Sequence, residues 1–96
     1  MSDSRGSVEG IHTTHSVKLY ALSTCIWCRK TRQMLEDEEV AFDFVYLDLV
    51  GADERDAAKE EVRKWNPRIS FPTVVIDDAT CIVGFKPEEL KGALGL

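Results

Sequence analysis

The tetrapeptide Cys25-Ile26-Trp27-Cys28 stands where a strand-like run ends and a helical pattern begins, and no other feature constrains this chain as strongly. Ser16 to Leu22 (SVKLYAL) reads as a buried strand, with Val17, Leu19 and Ala21 on one side and Tyr20 and Leu22 on the other. Ser23 and Thr24 offer hydroxyls suited to capping a helix start. From Ile26 to about Glu38 the apolar stripe Trp27, Thr31, Met34, Leu35 recurs at spacings of three and four, as an amphipathic helix requires. Phe42 to Leu49 reads as a second strand. Two strands joined through a helix imply a parallel, right-handed crossover.

The remainder continues the alternation. Ala52 to Trp65 is an expected helix, with Asp53, Glu54 and Asp56 at its N-terminus and Ala58, Val62 and Trp65 as its apolar stripe. Asn66-Pro67 stops it, because a residue before proline avoids the helical region. Thr73–Ile76 and Thr80–Val83 flank Asp77-Asp78-Ala79 as a hairpin. Pro87 suits the first turn of a last helix, whose apolar side is Leu90, Ala93 and Leu94. The expected order is β-α-β-α-β-β-α: an α/β fold with a mixed four-stranded sheet and helices on both faces. Residues 1–14, rich in Ser, Gly, Thr and charge, are expected to be a flexible arm ahead of a single domain at 15–96.

Helix-start geometry makes the cysteine pair chemically interesting. The first N–H groups of a helix lack intrahelical partners and carry the positive end of its dipole, and both effects favour thiolate over thiol at Cys25. Cys28, three residues on, lies within reach and is expected to be the more buried of the two. Such a pair carries out exchange in two displacements. Cys25 attacks a substrate disulfide, and Cys28 then resolves the mixed disulfide. The competing reading is a zinc site, or an iron–sulfur cluster shared by two chains. Structural zinc wants four ligands, and only Cys81, His12 and His15 remain to supply them, so no metal site is expected. A third reading is a redox-sensing adaptor whose dithiol switches partner affinity.

Three cysteines, an odd number, fit a reducing compartment better than a secreted disulfide scaffold. The N-terminus lacks the apolar core of a signal peptide, and no apolar run approaches the roughly 20 residues of a membrane helix. A cytoplasmic, monomeric protein without membrane association is expected. The net charge of −5 argues against a nucleic-acid partner. Cys81 reads as a small core residue. Trp27 reads equally as a core residue of its helix and as a partner contact. Arg29, Lys30 and Arg32 read equally as support for a thiolate and as a solvated face.

Ser70-Phe71-Pro72-Thr73 is the second signal. Alone, Pro72 reads as an ordinary proline at a strand start. Paired with Cys-x-x-Cys it becomes a candidate cis proline, leaving the Phe71 backbone free for an extended substrate. A strand, CIWC opening a helix, FPT before a hairpin and VGF before a last helix together resemble the glutaredoxin family over residues 16 to 95. The resemblance implies the thioredoxin fold, Cys25 and Cys28 as the redox pair, and a cis Pro72 beside them. It implies protein or mixed disulfides as substrates, with glutathione or a thioredoxin reductase as electron donor and no resident cofactor. The sequence departs from the usual pattern at Ile26-Trp27, where Pro-Tyr is typical. It departs again at Leu22, where a glutathione-binding lysine is common, and at Val83-Gly84-Phe85-Lys86-Pro87. The last run is similar to redoxins that serve ribonucleotide reductase. Tyr20, Trp27, Phe71, Pro72 and Gly84 are the candidate substrate- or glutathione-binding residues.

Overall fold

In the computed structural model, which describes residues 4–96, β2 (Val17–Ala21) runs through the middle of a five-stranded sheet ordered β1-β3-β2-β4-β5. β3 (Phe42–Tyr46) lies parallel to β2 on one side, and β4 (Thr73–Ile76) lies antiparallel on the other. β5 (Thr80–Val83) closes a hairpin with β4. Asp77 and Asp78 both take left-handed backbone angles in its turn, a conformation that aspartate tolerates better than most residues.

The outer strand β1 (Arg5–Val8) was not expected. It pairs antiparallel with β3, from Arg5 opposite Val45 to Val8 opposite Phe42, and makes a five-stranded sheet of the expected four. Its sequence, RGSV, has no alternating pattern because an edge strand attaches through backbone hydrogen bonds and buries little. Two side-chain contacts assist: Ser7 Oγ donates to Asp43 Oδ1 at 2.5 Å, and Arg5 pairs with Glu54 at 3.7 Å. His12, also placed in the expected arm, bonds through its backbone to Glu39 and Ala41.

Helices cover both faces. α1 (Ile26–Asp37) and α3 (Pro87–Leu94) bury Cys28, Leu35, Leu90 and Leu94 against Leu19, Phe44, Val74 and Ile82. α2 (Ala52–Trp65) buries Ala58 and Val62 on the opposite face, against Tyr20, Leu47 and Val75. Strand alternation explains the division, since successive residues of β2 face opposite ways. Trp27, open between core and partner contact in the sequence, is decided by the structure, and the expected core placement of Cys81 changes. Trp27 projects outward and is 53% exposed, because Cys28, Thr31 and Leu35 form the true inner stripe of α1. Cys81 is only half-buried, because β5 is a sheet edge. Among the described residues no helix is long and apolar enough to cross a membrane.

Candidate functional site

Four segments meet where β2 ends. The antiparallel pairing of β4 with β2 sets Thr73 opposite Tyr20, so Pro72 arrives beside the loop that leads from β2 into α1. β5 ends opposite Thr73, which brings Gly84 alongside; its N–H donates to the Pro72 carbonyl at 2.9 Å. The turn after β3 reaches in from the other side.

Cys25 is the N-cap of α1. Its backbone is extended, and its Sγ accepts the Cys28 N–H at 3.2 Å, satisfying one of the donors a helix start leaves open. Cysteine thus takes the place usually held by serine or aspartate. Cys25 is partly exposed, whereas Cys28 is 1% exposed. Burial, followed by a side-chain hydrogen bond to Cys25, pushes the Cys28 thiol up to about 12. All three cysteines are unbridged. Burial also raises the Cys81 thiol, against a small opposing effect of Lys86.

The Cys28 shift carries two expected outcomes. A thiol moved from 9.0 to about 12 holds on the order of 10³-fold less thiolate at neutral pH. Iodoacetamide should therefore label Cys28 of the reduced, folded protein at least ~10²-fold more slowly than in urea, as mass spectrometry of Cys28 peptides will show. The folded state also holds this proton more tightly than the unfolded chain. Its contribution to stability of the reduced protein is complete below about pH 9 and is lost as pH rises towards 12, which urea titrations across that range will register.

The Phe71–Pro72 peptide bond is cis, as expected. Among the described residues, neither the N–H nor the carbonyl of Phe71 takes part in a hydrogen bond. Asn66 braces the segment: its Nδ2 donates to Ser70 Oγ at 2.9 Å and to the Ser70 carbonyl at 3.3 Å, while Thr73 Oγ1 donates to that carbonyl at 2.7 Å. Asn66 is 8% exposed but Ser70 is exposed and keeps the Thr73 bond, so Asn66→Ala removes two hydrogen bonds without stranding their acceptors. It should cost about 0.5–1.5 kcal/mol in urea denaturation and speed amide exchange over Ser70–Thr73.

Asp48 holds the other side. It accepts the Ser23 N–H at 2.9 Å and the Ser23 hydroxyl, tying the turn after β3 to the loop before Cys25. Partial desolvation pushes its carboxyl up, but the Ser23 donors outweigh this and hold it below its usual range. Arg55 supports the same turn by donating to the Leu47 carbonyl at 2.8 Å and the Val50 carbonyl at 3.3 Å. Asp48, Arg55 and Asn66 were not picked out as site residues from the sequence. Asn66 showed there only as the end of a helix, and nothing local marks Asp48.

Of the candidate binding residues, Trp27 lies in the first turn of α1, Phe71 packs against the same core cluster as Cys25, and Gly84 is bonded to Pro72. Trp27 stacks on Phe85, with ring centroids 6.0 Å apart and planes at 23°, and Lys30 Nζ lies 5.0 Å from the Trp27 centroid. Tyr20 does not join them. It is 8% exposed beneath α2, packed with Val62 and Val75, because its register on β2 points it to the opposite face from Cys28. Burial first, then Glu61 and Asp78, raise its hydroxyl pKa. Leu22 packs at the margin of the same α2-side cluster. His15 is likewise engaged elsewhere, its Nδ1 lying 2.6 Å from Asp77. Among the described residues no group of three or more His, Cys, Asp or Glu is placed to hold a metal ion.

Comparison with known proteins agrees with this geometry. The glutaredoxin family model matches residues 17–80. An uncharacterized glutaredoxin-like 8.6 kDa protein from the rubredoxin operon of Clostridium pasteurianum is 35% identical over 74 residues, covering 77% of this chain and 91% of its own. The crystal structure of a glutaredoxin from Methanosarcina mazei Go1 superposes with a TM-score of 0.89 at 45% identity, over 98% of this chain and 90% of that one. Methanosarcina acetivorans methanoredoxin superposes with a TM-score of 0.85 at 41% identity, over 91% and 90%. With a thioredoxin-type fold and a Cys-x-x-Cys pair where β2 meets α1, the chain belongs to the glutaredoxin family.

Proposed function

We propose that the protein is a dithiol thiol–disulfide oxidoreductase that reduces protein or mixed disulfides through a reversible Cys25–Cys28 bond. The observation that carries this reading is the asymmetry of the pair: a partly exposed cysteine at a helix N-cap, and a buried thiol held protonated three residues on. In the first step the Cys25 thiolate attacks one sulfur of a disulfide RSSR′, forming Cys25–S–S–R and releasing R′S⁻. In the second, Cys28 attacks Cys25 Sγ, its proton passing to the departing RS⁻, which leaves as RSH. Two electrons reach the substrate, and Cys25–Cys28 is left oxidised. A donor thiol system then restores the dithiol.

The Phe71 backbone, with both its polar groups unengaged, suits pairing with an extended substrate beside Cys25. Glutathione is the weaker donor reading. Leu22 carries no charge, Tyr20 is buried under α2, and the Gly84 N–H is already committed to Pro72. A thioredoxin reductase is the favoured donor, and the cytoplasm the favoured compartment. The test is insulin reduction run in parallel with glutathione plus its reductase and with NADPH plus thioredoxin reductase. Turnover with the reductase and little with glutathione is expected. No turnover with either, from fully reduced protein, overturns the proposal.

A further inference from the structure

The charge of the helix that follows Cys25 runs against the charge of the whole chain. The protein carries a net −5, yet from Cys25 to Leu35 α1 contains no acidic residue and three cations. Arg32 is occupied, its Nε lying 2.9 Å from Glu36 and its Nη1 2.8 Å from the Tyr46 hydroxyl. Arg29 and Lys30 form no ion pair among the described residues, although the remainder of the surface is acidic. Lys30 instead covers one side of Trp27, whose ring also stacks on Phe85 at the start of the connection to α3. Lys86 follows, 3.8 Å from Glu89.

An aromatic pair with Lys30 over one ring thus bridges α1 and the β5–α3 connection. Ile26 and Trp27 are 60% and 53% exposed there, a large apolar area to leave in water beside a reactive sulfur. Asp48, bonded to Ser23 and near Arg55, remains a negative charge at the loop before Cys25, Glu89 is paired with Lys86, and Glu88 lies in the first turn of α3, so the positive charge is confined to the α1 side, at Arg29 and Lys30. We infer that this surface docks protein substrates whose disulfide cysteine is flanked by acidic and apolar residues, the acids meeting Arg29 and Lys30 and the apolar side chain lying on Trp27 and Phe85. The inference rests on the proposed reductase activity and names its preferred substrate.

The physics favours rate as well as affinity. Unpaired cations on a reactive face steer an acidic partner towards it, and that steering fades as salt screens the charges. Trp27 already touches Phe85 and Lys30 while remaining 53% exposed, so it offers its apolar area to a partner with little loss of side-chain freedom.

The test uses two peptides joined by a disulfide to the same small thiol. Each peptide carries a leucine next to its cysteine, and the flanking charges are glutamates in one and lysines in the other. The purified, fully reduced chain should reduce the glutamate peptide in a single turnover with about tenfold higher second-order rate constant at low ionic strength, its Cys25–Cys28 pair supplying the two electrons, and the ratio should shrink at high salt. The double variant Arg29→Glu, Lys30→Glu should invert the preference. Equal rates for the two peptides, or an unaltered ratio in the double variant, would overturn the docking inference. Hydroxyethyl disulfide, small and neutral, separates the two claims: if the wild-type protein cannot reduce it either, the reductase reading itself has failed.

Discussion

Replacing Cys25 by serine should lower disulfide reductase turnover by at least ~10³-fold while leaving the fold intact. Exchange between disulfides needs a sulfur nucleophile, and a serine hydroxyl has no thiolate to offer. The structural role survives the change. Serine is among the best N-cap residues, and its oxygen is suited to accept the Cys28 N–H that Cys25 Sγ accepts now. Urea midpoints of the two proteins should therefore differ little, within about 0.5 kcal/mol, so that the lost activity reports chemistry and not unfolding. The companion variant Cys28→Ser separates the two displacements. It retains the attacking sulfur and loses the resolving one, so it should accumulate a mixed disulfide at Cys25 detectable by intact-mass measurement. Full reductase activity in Cys25→Ser would contradict the assignment of the nucleophile outright.

Leu35→Ala should be the most damaging simple truncation in α1, costing about 2–5 kcal/mol. Leu35 is 0% exposed and lies in the cluster that joins α1 to β2, β3, β4 and α3. The cost has two parts: lost transfer of the side chain from water, and a cavity that the surrounding strands fill only in part. Against a total stability of about 5–15 kcal/mol for a domain of this kind, the loss is large. Urea denaturation should show it directly, and Tm should fall by roughly 4–8 °C for each kcal/mol lost. The same helix presents Cys25 and Cys28, so a loosened α1 should also hasten Cys28 alkylation in the native protein. A loss below about 1 kcal/mol would mean that α1 is anchored chiefly by other contacts.

Most of the architecture was legible in residue order. Thr73–Ile76, Thr80–Val83 and Ala52–Trp65 fall where apolar periodicity, Asn66-Pro67 and the Asp77-Asp78 turn put them. Those signals are local: each depends on residues within one or two turns or a few strand positions of one another. The strand β1 was not legible, because Arg5–Val8 is held by backbone pairing with β3, and backbone groups look alike in every sequence. Side-chain direction was only partly legible. Trp27 fits a helical stripe by spacing, but the sheet meets α1 along Cys28, Thr31 and Leu35 instead. Tyr20 sits close to the dithiol in sequence and on the opposite face in space.

The sequence by itself determined the strand-to-helix junction at Cys25, the three-residue spacing that lets Cys28 lie inside the first turn, and the proline ahead of β4. All three follow from covalent order and helix geometry. Only the tertiary structure decided what surrounds the two sulfurs: Asp48 tied to Ser23, Asn66 bracing Ser70, and Phe85 stacked on Trp27. The first and last of these contacts join segments far apart in the chain, while the second spans four residues in a loop whose course is set by where α2 ends and β4 begins. The meeting of the distant segments is set by strand order in the sheet and by the packing that places helices on its two faces.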